Sequence, residues 1–253
     1  MMTDQRREDL ARRIADMGRF RPLAGAVVLE IGADAKSFAA QMLVDAGAAR
    51  VISSNHGERW PEESIGAVEK KRIDARKLTD VLAPQSVDIV FGIAVLEHID
   101  GLAEFFRTAK EVLRPGGLFF VQGEPIWTSQ NGHHVGVIGE KAHYRFGVPG
   151  ANPIPRWAHL TNTRETLPGV LEAQGVYPPD AQKIADYVYT SPKINRVGYK
   201  TMCEIFAASP LTLIERRDNA FKPPPTNVMD TILRGAWGNE ERYDVSGITF
   251  VAN

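Results

Sequence analysis

The chain has little that would commit it to a special environment. Of its 253 residues one is a cysteine, Cys203, so a disulfide framework within the chain is excluded. Its apolar setting, Met202-Cys203-Glu204-Ile205-Phe206, marks it as a small packing residue and not a nucleophile. No apolar run approaches the length that crosses a bilayer, and the N-terminus is charged and amphipathic where a secretory signal would be apolar. The expected location is the cytoplasm, without membrane contact. Neither sign of charge is in excess. Lys and Arg total 30 against 31 Asp and Glu, a net charge of −1, so no global field draws the chain to nucleic acid. The pairs Arg6-Arg7 and Arg12-Arg13 alternate with Asp4, Glu8, Asp9 and Asp16, as on a solvated helix face. Two glycine signatures are missing as well. Gly32 is followed by Ala33-Asp34-Ala35-Lys36-Ser37, without the later glycines of a Gly-x-Gly-x-x-Gly dinucleotide fingerprint, and no Gly-Lys-Ser/Thr run supplies a P-loop. Internal repeats and low-complexity segments are not evident.

The remaining composition, 43% hydrophobic and 24% charged, is that of an ordinary globular protein, and the length suits one α/β domain over 1–253. Apolar runs without alternation, Val27–Ile31 and Val87–Phe91, read as strands covered on both faces of a parallel sheet. Arg50–Ser54, Glu69–Ile73 and Leu118–Gln122 complete a first set of five strands. Helices are expected over 4–18, where Leu10, Ile14 and Met17 recur at helical spacing, over Ser37–Ala46, and over Leu102–Leu113 before the turn Arg114-Pro115-Gly116-Gly117. Alternation of strand and helix implies parallel pairing. Later helices are expected at Leu167–Gln174, Asp180–Val188, Gly198–Ala208 and Asn227–Leu233, with two last strands at Leu211–Arg216 and Ile248–Val251.

Three stretches carry a sharper signal by their order: Val28-Leu29-Glu30-Ile31-Gly32, then Val90-Phe91-Gly92 with Val95-Leu96-Glu97-His98, then Leu113-Arg114-Pro115-Gly116-Gly117 before a strand. They are strand ends with a ligand cleft above them. Over roughly residues 25–123 the chain resembles the class I S-adenosylmethionine-dependent methyltransferases, of the type 11 kind. The resemblance implies a Rossmann-like seven-stranded sheet, helices on both faces, and S-adenosyl-L-methionine over the carboxyl ends of the first strands. It implies a cofactor site made of Glu30, Gly32 and Ala33 after the first strand, Asn55 at the ribose, Asp74 and Ala75 at the adenine, and Gly92 and Ile93 after the fourth. Two positions that hold glycine in the family's first motif are Asp34 and Lys36 here, and Asn55 stands where an acid is usual. Lys36 is a candidate partner for the cofactor's carboxylate. The family's Glu-His pair, here Glu97-His98, is frequently structural.

After Gly123 the texture changes. Residues 124–180 carry many of the Pro, His, Trp and Asn residues, and 124–200 read as a lid or substrate-binding insertion after strand five. Four of the six histidines lie there: His133, His134, His143 and His159. Methyl transfer to a hydroxyl needs a group that removes a proton, and histidine suits that task. His133 or His134 is therefore the candidate general base, with Glu124 orienting it or binding the acceptor, and Trp127 as an apolar wall or a platform for a sugar ring. The histidine spacings match no compact zinc pattern, so no metal is expected. An Arg near the lid, Arg196, is a candidate for binding an acidic group. The expected partner is a small molecule, with a sugar or glycan-linked hydroxyl preferred and an amine still open. The competing expectation is a methyltransferase fold that has lost catalysis and serves as a binding or scaffold module.

Overall fold

The computed structural model describes residues 4–253. Helix α1 (Asp4–Gly18) leads to β1 (Val27–Ile31), α2 (Phe38–Asp45) and β2 (Arg50–Asn55). The hairpin β3 (Glu63–Ile65) and β4 (Val68–Arg72) follows, then a 3-10 turn over Ala75–Asp80 and β5 (Val87–Gly92). A second 3-10 turn, Leu96–His98, precedes α3 (Leu102–Val112) and β6 (Leu113–Gly123). Eight strands make one sheet in the order β3-β4-β2-β1-β5-β6-β10-β9, where β9 is Leu213–Ala220 and β10 is Val245–Ala252. The β4-β2-β1-β5-β6 block is parallel, and β3, β9 and β10 pair antiparallel. All seven expected strands are in this sheet. The eighth, β3, is three exposed residues at the edge, too short to show a period in sequence.

Side-chain alternation sends successive strand residues to opposite faces. Leu29, Val90, Phe119 and Phe250 pack under α3 and α7 (Tyr199–Ala207), against Phe105, Phe106 and Phe206. Val28, Ile89, Phe91 and Phe120 pack against Ile14, Met17, Ala40 and Leu43 of α1 and α2. Both faces are thus covered, which is why β1 and β5 carry no polar alternation apart from Glu30 and Asp88. The Arg114–Gly117 turn lies inside β6: Leu113 pairs with Val87 and Leu118 with Ile89, and the residues between bulge out of the ladder. Cys203 is half-buried against the first cluster, as a packing residue.

Residues 124–200 are not a loose loop. They hold a hairpin, β7 (Gly136–Ile138) with β8 (His143–Arg145), and the helices α4 (Ala158–Thr161), α5 (Leu167–Glu172) and α6 (Pro178–Thr190). Trp127, Trp157, Leu171, Ile184 and Val188 form a core of their own, which Ile232 of α8 (Thr226–Arg234) and Tyr243 join. Asn195, after α6, donates its side-chain amide to the carbonyls of Leu96 and Ile99 at 2.6 and 2.9 Å, fixing this cap onto the turn after β5. Among the described residues no helix is long and apolar enough to cross a membrane.

Candidate active site

The cleft opens where β1 and β5 end. Gly32 leaves β1 with φ +75°, a region that disfavours other residues. Val95 folds back over both strand ends, so that a Cβ on Gly32 would lie 2.4 Å from Val95 Cγ1 and one on Gly92 2.8 Å from Val95 Cγ2. The positive φ and the close approach of Val95 demand glycine at position 32, and the close approach of Val95 alone demands it at 92. Above them lies a cleft of about 980 Å³. Glu30, Gly32, Asp34, Lys36 and Ile93 line one end, and Glu97, His98, Glu124 and His134 the other. Leu10 and Arg13 of α1, with Arg145, Phe146 and Tyr187 of the cap, also line it.

Glu30 is 4% exposed, and among the described residues its only side-chain donor is Ser53, with Oγ to Oε2 at 2.7 Å. Burial raises its pKa to about 7, helped by the charge of Asp34 and opposed by the Ser53 hydrogen bond. Asp34 accepts from the Lys36 amide at 2.8 Å, so the loop that lacks two glycines is closed by its own carboxylate.

Other residues named from the sequence lie outside the cleft lining. Ala33 is buried and bonds the Ser54 carbonyl through its amide. Asn55 uses both ends of its amide locally, donating to Ala33 O at 2.8 Å and accepting from Gly57 N at 2.9 Å. Asp74 caps the 3-10 turn by accepting from the Arg76 amide and holds the Arg76 guanidinium at 2.7 Å, which keeps its carboxyl below the usual range. Ala75 accepts from Thr108. Gly92 is buried beneath Val95.

The two adjacent histidines part company. His133 is fully buried behind the cleft, where its Nδ1 accepts from the Val135 amide at 3.1 Å. His134 has φ +48° and turns into the cleft wall. Its Nδ1 lies 2.6 Å from the Gly132 carbonyl, and a carbonyl only accepts, so Nδ1 carries the hydrogen and Nε2 the lone pair. Burial lowers the His134 pKa to about 4, partly opposed by that hydrogen bond. Glu124 is held by three donors: Gln122 at 3.0 Å, Asn219 at 2.7 Å and Ser246 at 2.9 Å. Trp127, expected as a wall, is instead sealed in the cap against His159, Trp237 and Arg196. Arg196, expected as a ligand for acids, spends its guanidinium on the carbonyls of Val188, Ser191 and Ile194.

Glu97 and His98, read from sequence as structural, both reach the cleft. Glu97 is 2% exposed, and burial raises its pKa to about 8, while the charge of His98 and the nearby amides of Glu97 and Glu124 oppose that rise. His98 Nδ1 is 2.6 Å from the Lys193 carbonyl, and its ring stands edge-on to His134 with centroids 5.1 Å apart. The residues of α1 that line the cleft carried no signal in the sequence.

A family profile described as a methyltransferase domain matches residues 29–121. Over 112 residues the chain is 31% identical to the ubiquinone biosynthesis O-methyltransferase of Rhizobium leguminosarum bv. trifolii, covering 40% of this chain and 41% of that protein. The matched stretch thus spans about two fifths of the curated relative. An S-adenosylmethionine-dependent methyltransferase from Mesorhizobium loti superposes with a TM-score of 0.54 at 14% identity, over 94% of this chain and 95% of that one. Phosphoethanolamine N-methyltransferase 2 of Haemonchus contortus, in complex with S-adenosyl-L-methionine, gives 0.53 at 16% identity over 95% of this chain and 51% of its own. At those identities the two structures speak to the fold. The profile match contains Glu30, Gly32, Ile93, Glu97 and His98, and neither Glu124 nor His134.

Proposed function

We propose that this chain, whose residues 29–121 form a class I S-adenosylmethionine-dependent methyltransferase domain, transfers a methyl group to a hydroxyl of a small-molecule acceptor, of the sugar or glycan-linked kind. One observation carries the reading: a single cleft runs from the Glu30–Gly32 strand end to Glu97, His98, Glu124 and His134. Its volume stands near the upper end of the range of about 300–1,000 Å³ that small-molecule sites occupy, which leaves room for cofactor and acceptor together. Glu30, Gly32, Ile93 and Ala94 are the residues that would hold the cofactor, and the buried Glu30 carboxyl suits a ligand that is itself cationic. Bound there, S-adenosylmethionine supplies an electrophilic methyl group on a sulfonium.

The acceptor end then has three tasks. Glu124, fixed by its three donors, orients a hydroxyl. The cap and α1 line the cleft, and their closing over bound ligands would exclude water. His134 presents an unprotonated Nε2 at the cleft wall, in place to take the hydroxyl proton, whereas His133 lies behind it. Phe146 and Tyr187 beside Asp9, Arg13 and Arg145 supply the mixture of apolar face and polar edge that a sugar ring needs. The name of the Rhizobium relative, an O-methyltransferase, agrees with an oxygen acceptor. The balanced charge favours a small molecule over nucleic acid, and the lone cysteine suits the cytoplasm.

Calorimetric titration with S-adenosylmethionine and S-adenosylhomocysteine, followed by a screen of hydroxylated acceptors for S-adenosylhomocysteine release, tests this. Micromolar binding lost in Ile93→Arg is expected. In His134→Ala, methyl transfer should fall about a hundredfold or more with cofactor affinity little changed. A folded protein that binds neither compound at millimolar concentration would overturn the reading. It would favour a silent binding module, to which the local engagement of Asn55 and Asp74 points.

A further inference from the structure

We infer that Glu97, His98 and His134 form a binding site for one divalent transition-metal cation at the acceptor end of the cleft. The three residues come from two distant segments, the turn after β5 and the start of the cap. Each offers a ligand atom, and these atoms lie within 4.8 Å of one another. His98 Nε2 is 3.8 Å and His134 Nε2 4.0 Å from Glu97 Oε1. A closure of roughly half an ångström per atom brings all three to metal–ligand distances of about 2.0–2.2 Å.

The protonation pattern is that of ligands. Both imidazoles direct Nδ1 at a backbone carbonyl, Lys193 for His98 and Gly132 for His134, each at 2.6 Å. Carbonyls cannot donate, so both Nε2 atoms carry lone pairs, and both face the same carboxylate. Such a carbonyl behind a ligating histidine fixes its tautomer and ring plane. Glu97 is buried, and neither of its oxygens meets hydrogen-bond geometry with any donor among the described residues. His134 Nε2 is likewise buried without a partner. The amides of Glu97 and Glu124 lie near the carboxyl but outside hydrogen-bond geometry, so the two nitrogen lone pairs and the carboxylate repel one another, and one proton can bridge only one pair. A dication satisfies all three at once.

The turn is also held in advance. The Asn195 backbone amide donates to Glu97 O at 3.1 Å, while its side chain ties the carbonyls of Leu96 and Ile99. Two nitrogens and one oxygen select Zn²⁺, Co²⁺, Mn²⁺ or Fe²⁺ over Mg²⁺ or Ca²⁺, which prefer oxygen alone. Three protein ligands leave a position open toward the cleft, where an acceptor hydroxyl would sit. An ion held there would engage His134 Nε2, so that His134 would position the cation in place of taking the proton, and the cation would acidify an acceptor hydroxyl bound to it. This catalytic role rests on the methyl-transfer reading above; the site itself does not.

The experiment therefore reads cation binding alone. Untagged protein, stripped with chelator, is titrated with Co²⁺ and followed by its visible d–d absorption. One equivalent should saturate the band with micromolar or tighter affinity. His98→Ala, whose side chain is 45% exposed and leaves the fold intact, should weaken binding by about tenfold or more, and His134→Ala likewise. His143→Ala, in the same cleft, should change nothing. Absence of saturable Co²⁺ binding, or affinity in His98→Ala and His134→Ala unchanged from the parent protein, overturns the site. Protein that binds S-adenosylmethionine but no Co²⁺ refutes the metal site only. Protein that binds Co²⁺ but neither S-adenosylmethionine nor S-adenosylhomocysteine refutes methyl transfer only.

Discussion

Glu30 is a carboxyl held inside the sheet end with one hydroxyl for company, and the consequence is a stability that depends on pH in an unusual direction. Its folded pKa of about 7 stands above the ordinary 4.5. Between those values the native state keeps a proton that the unfolded chain has released, so stability falls as pH rises from about 4.5 through 7 and is level beyond. At 1.36 kcal/mol per unit the full loss is about 3 kcal/mol. Glu30→Gln keeps an oxygen for Ser53 and removes the titration. The variant should match the parent near pH 5 and exceed it by about 2–3 kcal/mol at pH 8 in urea denaturation. An identical pH dependence in the two proteins would mean that Glu30 ionises normally. An acid kept where an amide is expected to be more stable fits the proposed role of Glu30, in which it meets a cationic cofactor.

At the level of elements, the sheet is held from one side by aromatic packing. Phe206 and Phe250 stack with centroids 4.1 Å apart, and Phe106 meets Phe119, Phe206 and Phe250 edge-on. Phe106 of α3 touches β6, β10 and α7 through these rings. Phe106→Ala should therefore cost about 3–5 kcal/mol, read as a lower urea midpoint at unchanged slope. The cap hairpin depends on a different kind of contact. Asp180, in the first turn of α6, accepts from the amides of Glu140 and Lys141 and from the Tyr144 hydroxyl. Asp180→Asn turns donors toward donors, and tryptic cleavage at Lys141 should accelerate about tenfold while cleavage elsewhere is unchanged. These elements were unequally legible. Strands such as Val87–Gly92 announce themselves because burial on both faces removes every polar position but one. The helices of residues 124–200 were partly visible by period, at 167–174 and 180–188, but their packing into a core was not. That core joins Trp127 and Trp157 to Ile232 and Tyr243, far along the chain. The same limit hid the site: Glu97 and His98 look like a turn until His134 is folded against them, and only backbone geometry, φ +48° at His134, separates it from His133.

For the whole molecule, the cleft is the one place where all these parts meet. Its floor is the sheet end, its roof is α1 and the β7–β8 hairpin, and its far wall is the turn pinned by Asn195. None of the roof lies within the stretch that matches the methyltransferase profile, residues 29–121. The floor holds the residues inside the profile match, and acceptor selection in the proposed reaction falls to the roof outside it. A ligand that touches floor and roof together must stabilise the roof against local opening. At a hundred times its dissociation constant it adds about 2.7 kcal/mol, which slows exchange through that opening roughly a hundredfold. Hydrogen exchange with saturating S-adenosylmethionine should therefore slow at α1 and at the Glu140 and Lys141 amides, well beyond the change in the aromatic cluster under α3. Protection confined to the ends of β1 and β5 would mean that the cofactor engages the floor alone and that closure waits for the acceptor. An unchanged roof with cofactor and acceptor both present would show that α1 and the hairpin do not close on the ligands.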